Sequence, residues 1–253
     1  MESHSIQSIA AMANVTLQSK GLYHSMTVFE SASIGLATWT KVHQTGIELD
    51  AEAELPDAKA ISKMWQELLD SVSYVMDSSQ ELNVGGKWDL HVLFVEYKVF
   101  SRSGKYSGVD YENLLLKVIK VLHMLSEQFD ELEALIVRAR RSETAVYSSL
   151  YSSKKRQELV CKQRGLTQWL VSHFRGNRVL LKNQQQLDLT RVAIERTAEV
   201  SKYLGEIEMR VKLYKDNIIT IHDSIRLEQA QGCRKLRASL CLVFLESIFH
   251  SPE

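Results

Sequence analysis

Proline is almost missing from this chain: Pro56 and Pro252 are the only two, so residues 57–251 hold no ring that would interrupt a helical hydrogen-bond ladder. That absence is the strongest single argument for helix. Cysteine is scarce as well, and Cys161, Cys233 and Cys241 are odd in number without a CxxC pair, which fits a reducing compartment better than a disulfide framework. No run of 18 apolar residues occurs, so no spanning helix is expected. The opening MESHSIQSIAAMANV carries an acid at Glu2, lacks a basic region and has its apolar stretch broken by Gln7 and Ser8, so it does not read as a signal peptide. The expected location is the cytoplasm, where the formal glycosylation sequon Asn14-Val15-Thr16 would stay silent.

Catalytic signatures are missing too. Phosphate-cradling loops need glycines that let backbone N–H groups converge, and neither GxGxxG nor GxxxxGK[ST] is found. Zinc-protease and di-iron helices need HExxH or paired ExxH, and these are also absent. His123 and Glu127 stand four apart, a spacing that suits a surface contact far better than a metal site, and His222-Asp223 lacks converging ligands. Cys161 sits near Lys162 and Arg164, which could lower its thiol pKa, but it has no catalytic partner. The chain reads as non-enzymatic, with no cofactor, no metal and no evident small-molecule substrate.

What is present is an ordinary globular mixture, 45% hydrophobic and 25% charged over 253 residues. The formal net charge of zero averages unlike segments. Residues 1–137 carry 10 Lys+Arg against 19 Asp+Glu, residues 138–182 carry 11 against 2, and residues 183–253 carry 10 against 10. Interspersed signs are the usual solvated pattern, so the basic middle stands out.

Apolar residues recur at helical spacing along most of the chain. Ile6, Ile9, Ala10, Ala13 and Leu17 share a stripe that Gly21 would close, and a second helix is expected from about Tyr23 to Thr45. The acid-rich stretch Glu48 to Asp57 reads as a linker, with Pro56 at the first turn of the next helix. That helix shows Ile61, Trp65, Leu68, Val72, Val75 and Leu82, with Ser79 filling one place, and Asn83-Val84-Gly85-Gly86 is expected to end it. Trp88 to Phe100 is rich in β-branched and aromatic residues, yet Leu90, Leu93, Phe94 and Tyr97 also share a helical face. A lone strand would leave its backbone groups unpaired, so helix is preferred. Ser101 to Gly108 is expected to form a flexible joint between domains.

Asp110 is the expected N-cap of a long helix in which Leu115, Val118, Leu122, Leu125, Phe129, Leu132, Ile136 and Ala139 alternate steps of three and four. The seam blurs through Ser142 to Ser153. Gly176-Asn177 reads as the turn of an αα-hairpin. After it Ala193, Thr197, Val200, Leu204, Ile207, Val211, Tyr214, Ile218, Ile221 and Ile225 form a seam in which Thr197 alone is polar. The expected fold is all-α: an elongated helical bundle with a long antiparallel αα-hairpin in its C-terminal half. Two domains are expected, 1–108 for the N-terminal helices and 109–253 for the hairpin. Heptad seams of this kind are more often the core of an intramolecular bundle than a dimer interface.

Through Trp169-Leu170, Gly176-Asn177-Arg178 and the helix carrying Leu187, Ala198, Val200, Leu204, Glu208, Arg210, Ile221 and Ile225, the chain resembles a group of fungal helical proteins of unknown function. The resemblance covers roughly the C-terminal third, with a looser echo around Phe94 to Leu125. Members of that group often show a Gly-Gly-Asn turn and an N-terminal hydrophobic segment, whereas here Arg175 precedes Gly176 and no such segment occurs. The resemblance implies helical structure and carries over no site.

The candidate binding residues are the cations of the basic segment: Arg138, Arg140, Arg141, Lys154, Lys155, Arg156, Lys162, Arg164, Arg175, Arg178 and Lys182. A band of like charge concentrates anionic partners. Three partners fit it, in this order: the chain's own acidic N-terminal half, an acidic membrane surface, and nucleic acid, which ranks last because no reader motif or stacking platform accompanies the charge. The function expected is that of a helical scaffold or interaction protein, with a protein partner or self-association among its contacts. The alternative is a membrane-acting helical protein, either a curvature scaffold or a pore-forming bundle, with Ile6 to Leu17 and Leu236 to Phe249 as amphipathic pieces and Trp88 to Phe100 as an inserting tongue.

Overall fold

The computed structural model describes residues 21–44, 58–103, 108–163 and 166–230, and every one of them is helical. We number the helices α1 (residues 21–44), α2 (Ala58–Ser103), α3 (Gly108–Gln163) and α4 (Leu166–Ala230). The protein is an all-α helical bundle, as the near-absence of proline predicts. Trp88 to Phe100 belongs to α2, so the ambiguous apolar segment is helix. The stripes at Ile6 to Leu17 and Leu236 to Phe249, together with Cys233 and Cys241, lie outside the described residues, as does the acidic linker.

Two expected breaks fall inside helices. Gly21 is the first described residue of α1, and the stripe it was expected to close lies outside the described residues; a Cβ on Gly21 would collide with the Arg210 guanidinium of α4, so its bare Cα makes room for that side chain. Gly85 and Gly86 sit within the 46-residue α2. A Cβ on Gly86 would stand 2.7 Å from Met26 Cε and 2.9 Å from a Leu125 methyl, so this glycine lets three helices approach closely instead of turning the chain. Gly176-Asn177 lies within the 65-residue α4. The fold-back comes earlier, between Gln163 and Leu166, where the sequence has Gly165. Asp110, expected as the N-cap, is in the first turn of α3, which begins at Gly108.

The chain packs as two compact units, and each takes a piece of all four helices. Of the described residues, unit 1 comprises 21–30, 79–103, 108–131 and 203–230, and unit 2 comprises 31–44, 58–78, 132–163 and 166–202. The joint expected at Ser101 to Gly108 therefore falls within unit 1.

Unit 1 has a largely apolar core: Leu22, Met26 and Phe29 of α1, Leu82 and Leu93 of α2, Leu115, Val118, Leu122, Leu125 and Phe129 of α3, and Leu204, Ile207, Val211, Tyr214 and Ile218 of α4 are all buried. Asn83 donates to the Glu30 carboxylate. Removing each large apolar side chain from water is worth about 1.5–3 kcal/mol, which outweighs the roughly 1 kcal/mol cost of a glycine within a helix. Burial pushes the Tyr214 hydroxyl far above the ordinary phenol range, with a further rise from the neighbouring Tyr23.

Unit 2 is built on the same steps but has a more polar interior. Leu36, Trp65, Leu68, Val72, Leu132, Ile136, Val146, Leu150 and Val200 supply apolar burial, while Ser33, Thr40, Ser71, Glu143, Ser153, Thr190 and Thr197 are buried among them. Trp65, fully buried, donates its indole N–H to the Thr40 carbonyl at 3.3 Å. Thr40, Ser71 and Thr190 return their hydroxyls to carbonyls four residues back, at 2.9, 2.8 and 2.8 Å, which satisfies them inside the helix. The pairs Glu143–Thr197 and Lys154–Gln184 run in opposite senses along α3 and α4, which makes the two an antiparallel pair in this unit.

Candidate functional site: a basic outer face over a buried carboxyl

The α3 seam does not fade at Ser142. Its 4-3 alternation continues as Ala139, Glu143, Val146, Leu150 and Ser153, all buried. The consequence for charge is direct. Of the two acids in the basic segment, Glu143 is withdrawn into the core of unit 2, which leaves Glu158 as the acid on the surface of α3 over residues 138–163.

Around that surface Arg138, Arg140, Arg141, Lys155 and Arg156 are exposed. Tyr147 and Tyr151, 39% and 47% exposed, lie between them, and Lys155 Nζ stands 5.2 Å from the Tyr151 ring centroid. Arg140, Tyr147, Tyr151 and Lys155 follow one another at spacings of seven, four and four, so they share a helical face on which two aromatic rings lie between two cations. Lys154 is different. It is half-buried at the α3–α4 contact, hydrogen-bonded to Gln184 and 4.0 Å from Glu158, so its charge is spent on structure. Lys182 is also half-buried. Lys162, Arg175 and Arg178 are on helices but their side chains, and Arg164 altogether, lie outside the described residues. The structure thus brings five of the eleven expected cations onto one exposed helical surface and assigns Lys154 to packing.

Beneath this face the Glu143 carboxyl accepts a hydrogen bond from the Thr197 hydroxyl of α4. Burial pushes Glu143 up to about 7, against opposing effects of the Thr197 bond and the nearby Arg140 charge. Close by in the same unit, Arg196 lays its guanidinium over the Trp39 ring at 4.9 Å, and Trp39 meets His43 edge-on with centroids 4.1 Å apart. Burial lowers the His43 pKa.

Unit 1 carries one further ionic cluster. His222 is buried; its Nε2 lies 3.5 Å from Glu112 Oε1 and its Nδ1 lies 3.5 Å from Asp223 Oδ1, while Arg226 Nε stands 3.6 Å from the same Glu112 oxygen. The sequence shows His222 beside Asp223 but gives no sign that Glu112, over a hundred residues away, closes the cluster. His123 and Glu127 stand 3.8 Å apart on the surface, both well exposed. Among the described residues no group of three or more His, Cys, Asp or Glu is placed to hold a metal ion, and no helix is long and apolar enough to cross a membrane.

The chemistry this arrangement supports is electrostatic: five exposed cations over about five turns of α3, with two tyrosines offering apolar rings and polar tips. No family model, no curated protein and no solved structure matches this chain.

Proposed function

We propose that this is a non-enzymatic helical interaction protein that engages an anionic partner through the outer face of α3 in unit 2. The observation that supports the reading is the separation of charge within one stretch of helix: Arg138, Arg140, Arg141, Lys155 and Arg156 are exposed, and Glu143, which would have diluted them, is buried. The helical core serves as the frame that holds this face.

A second reading, a membrane-acting helical protein, is favoured by Tyr147 and Tyr151. Amphipathic rings beside Arg and Lys suit the headgroup layer of an acidic bilayer, where the ring is sheltered and the charge stays wet. Flotation with vesicles of neutral lipid, with vesicles containing acidic lipid, and binding to an acidic polypeptide separate the two. Either partner should be released by salt, because exposed charges are screened over about 8 Å at physiological ionic strength. Replacing Arg141, Lys155 and Arg156 together by Glu should abolish binding while leaving the helical circular dichroism unchanged. This triple is preferable to one that includes Lys154, since reversing Lys154 would also break its bond to Gln184. If wild type binds neither probe at low salt, the proposal fails.

A further inference from the structure

Arg196 of α4 is a cation that no carboxylate neutralises among the described residues; Glu195, its neighbour in sequence, stands 3.9 Å from Arg191 instead. The Arg196 guanidinium lies over the Trp39 ring of α1, 4.9 Å from its centroid, and Trp39 meets His43 edge-on with centroids 4.1 Å apart. All three residues belong to unit 2. Trp39 and Arg196 are half-buried, yet Trp39 Nε1 and Arg196 Nε are both shielded and neither has a hydrogen-bond partner. Buried donors are normally paired, because an unpaired one gives up water and gains nothing in exchange. Two orphaned N–H groups and an unneutralised charge at one contact call for an anionic acceptor.

The stack leaves the arginine fit for that work. Cation–π contact uses the face of the guanidinium, while its N–H donors lie along the edge. Gly35 is one turn before Trp39, and a Cβ there would stand 3.8 Å from Arg196 Nη1, so no side chain at that position covers the edge. The donors also do not share a plane. The guanidinium sits above the indole, the indole N–H lies within the ring's own plane, and the His43 ring is inclined 61° to it. A carboxylate is planar, whereas a phosphate sets its oxygens tetrahedrally and offers at least three strong acceptors. We propose that the α1–α4 contact of unit 2 is a phosphate site, in which the Arg196 fork holds a phosphate group, free or as a monoester, with Trp39 Nε1 and His43 as further donors. The long arginine stem lets the guanidinium shift as the anion enters, which brings the two shielded nitrogens into reach. The site is built from α1 and α4 and does not rest on the basic face of α3.

Titration of the full chain with inorganic phosphate tests it, at physiological ionic strength held constant with chloride. Phosphate should raise the melting temperature, as a ligand of the native state does, and should move the His43 imidazole resonances, assigned by their loss in His43→Gln. Arg196→Lys keeps the charge without the fork and should weaken binding about tenfold or more, roughly the worth of one charge-assisted hydrogen bond. Trp39→Phe keeps a ring beneath the guanidinium without the N–H and should weaken it several-fold. Gly35→Leu, favoured in a helix, covers the Nη1 edge and should weaken binding while the fold is kept. Replacing Arg141, Lys155 and Arg156 together by Glu should leave the phosphate effect in place. Methyl phosphate that matches inorganic phosphate identifies a monoester as the ligand, and a much weaker methyl phosphate identifies the free ion; both uphold the site. A phosphate effect no larger than that of chloride overturns the proposal. So does an effect that persists in Arg196→Gln, or one lost with the α3 triple, which would place the anion on the basic face. Acetate that binds as tightly as phosphate overturns the tetrahedral assignment.

Discussion

Glu143 and Thr197, 54 residues apart in the chain, meet in the core of unit 2, where the threonine hydroxyl donates to a carboxyl that is 1% exposed. The unfolded chain ionises this carboxyl near 4.5, and the folded chain holds its proton up to about 7. Between those values the native state binds more protons than the unfolded state, so the stability contributed by Glu143 is full below about 4.5 and is lost as pH rises through about 7. The loss is on the order of 3 kcal/mol. Urea unfolding at pH 5 and pH 8 should show it, and Glu143→Gln, which keeps the shape without the charge, should flatten that part of the profile and be the more stable protein at pH 8.

Thr197→Val bears on the same group from the other side. The hydroxyl lowers the Glu143 pKa by favouring the ionised form, so its removal should carry the upper end of the pH window further up. At pH 5, where the carboxyl is largely protonated in the folded chain, the variant should lose about 1 kcal/mol or less, and at pH 8 distinctly more. Equal losses at both values would show that the hydroxyl and the carboxyl are not coupled.

These residues mark where the sequence could be read and where it could not. The α3 seam from Leu115 to Ala139 and the α4 seam from Ala193 to Ile218 are legible because apolar burial imposes its own period. In the sequence the seam blurs through Ser142 to Ser153 because Glu143 and Ser153 occupy core positions, and a carboxylate at such a position looks like a surface residue until its partner is known. A signal was present: Thr197 is the one polar residue in the α4 seam, and two polar interruptions on antiparallel helices are candidates for each other. The exposure of Arg138, Arg140, Arg141, Lys155 and Arg156 follows from charge alone, whereas the packing role of Lys154 depends on the register between α3 and α4.

Glycine misleads for a related reason. Gly85-Gly86 has the composition of a turn, yet only the surroundings distinguish the two residues: nothing lies within 4 Å of a Cβ at Gly85, while a Cβ at Gly86 would press on Met26 and Leu125. Gly85→Ala should therefore stabilise the protein by about 1 kcal/mol through helix propensity. Gly86→Ala should gain less, because two packed side chains must shift, and Gly86→Leu should cost about 1–3 kcal/mol or more through overpacking. Thermal unfolding of the three variants gives the ranking; a Gly86→Leu protein as stable as Gly85→Ala would mean that α1, α2 and α3 are not packed this closely.

Val211 offers the most demanding check on the bundle itself. It is 1% exposed in the α4 seam of unit 1, and the approach of His222 to Glu112 sets the level of α4 against α3 so that Val211 falls near Leu122 and Leu125 of the same chain. Val211→Asp places a carboxylate in a buried position of an apolar seam, so it should cost several kcal/mol unless the group takes up a proton. A proton is taken up more readily at low pH, so the penalty should be smaller at pH 5 than at pH 8. Because the seam closes within one chain, the loss should be the same at low and high protein concentration. If it were an interface between copies, the melting temperature of the variant would climb with concentration as mass action requires. The disulfide counterpart is a chain lacking its native cysteines and carrying Val211→Cys with Leu125→Cys. Oxidation should link the pair within a single chain and raise the melting temperature, while linkage found only between chains would mean that the α3–α4 seam of unit 1 joins two molecules.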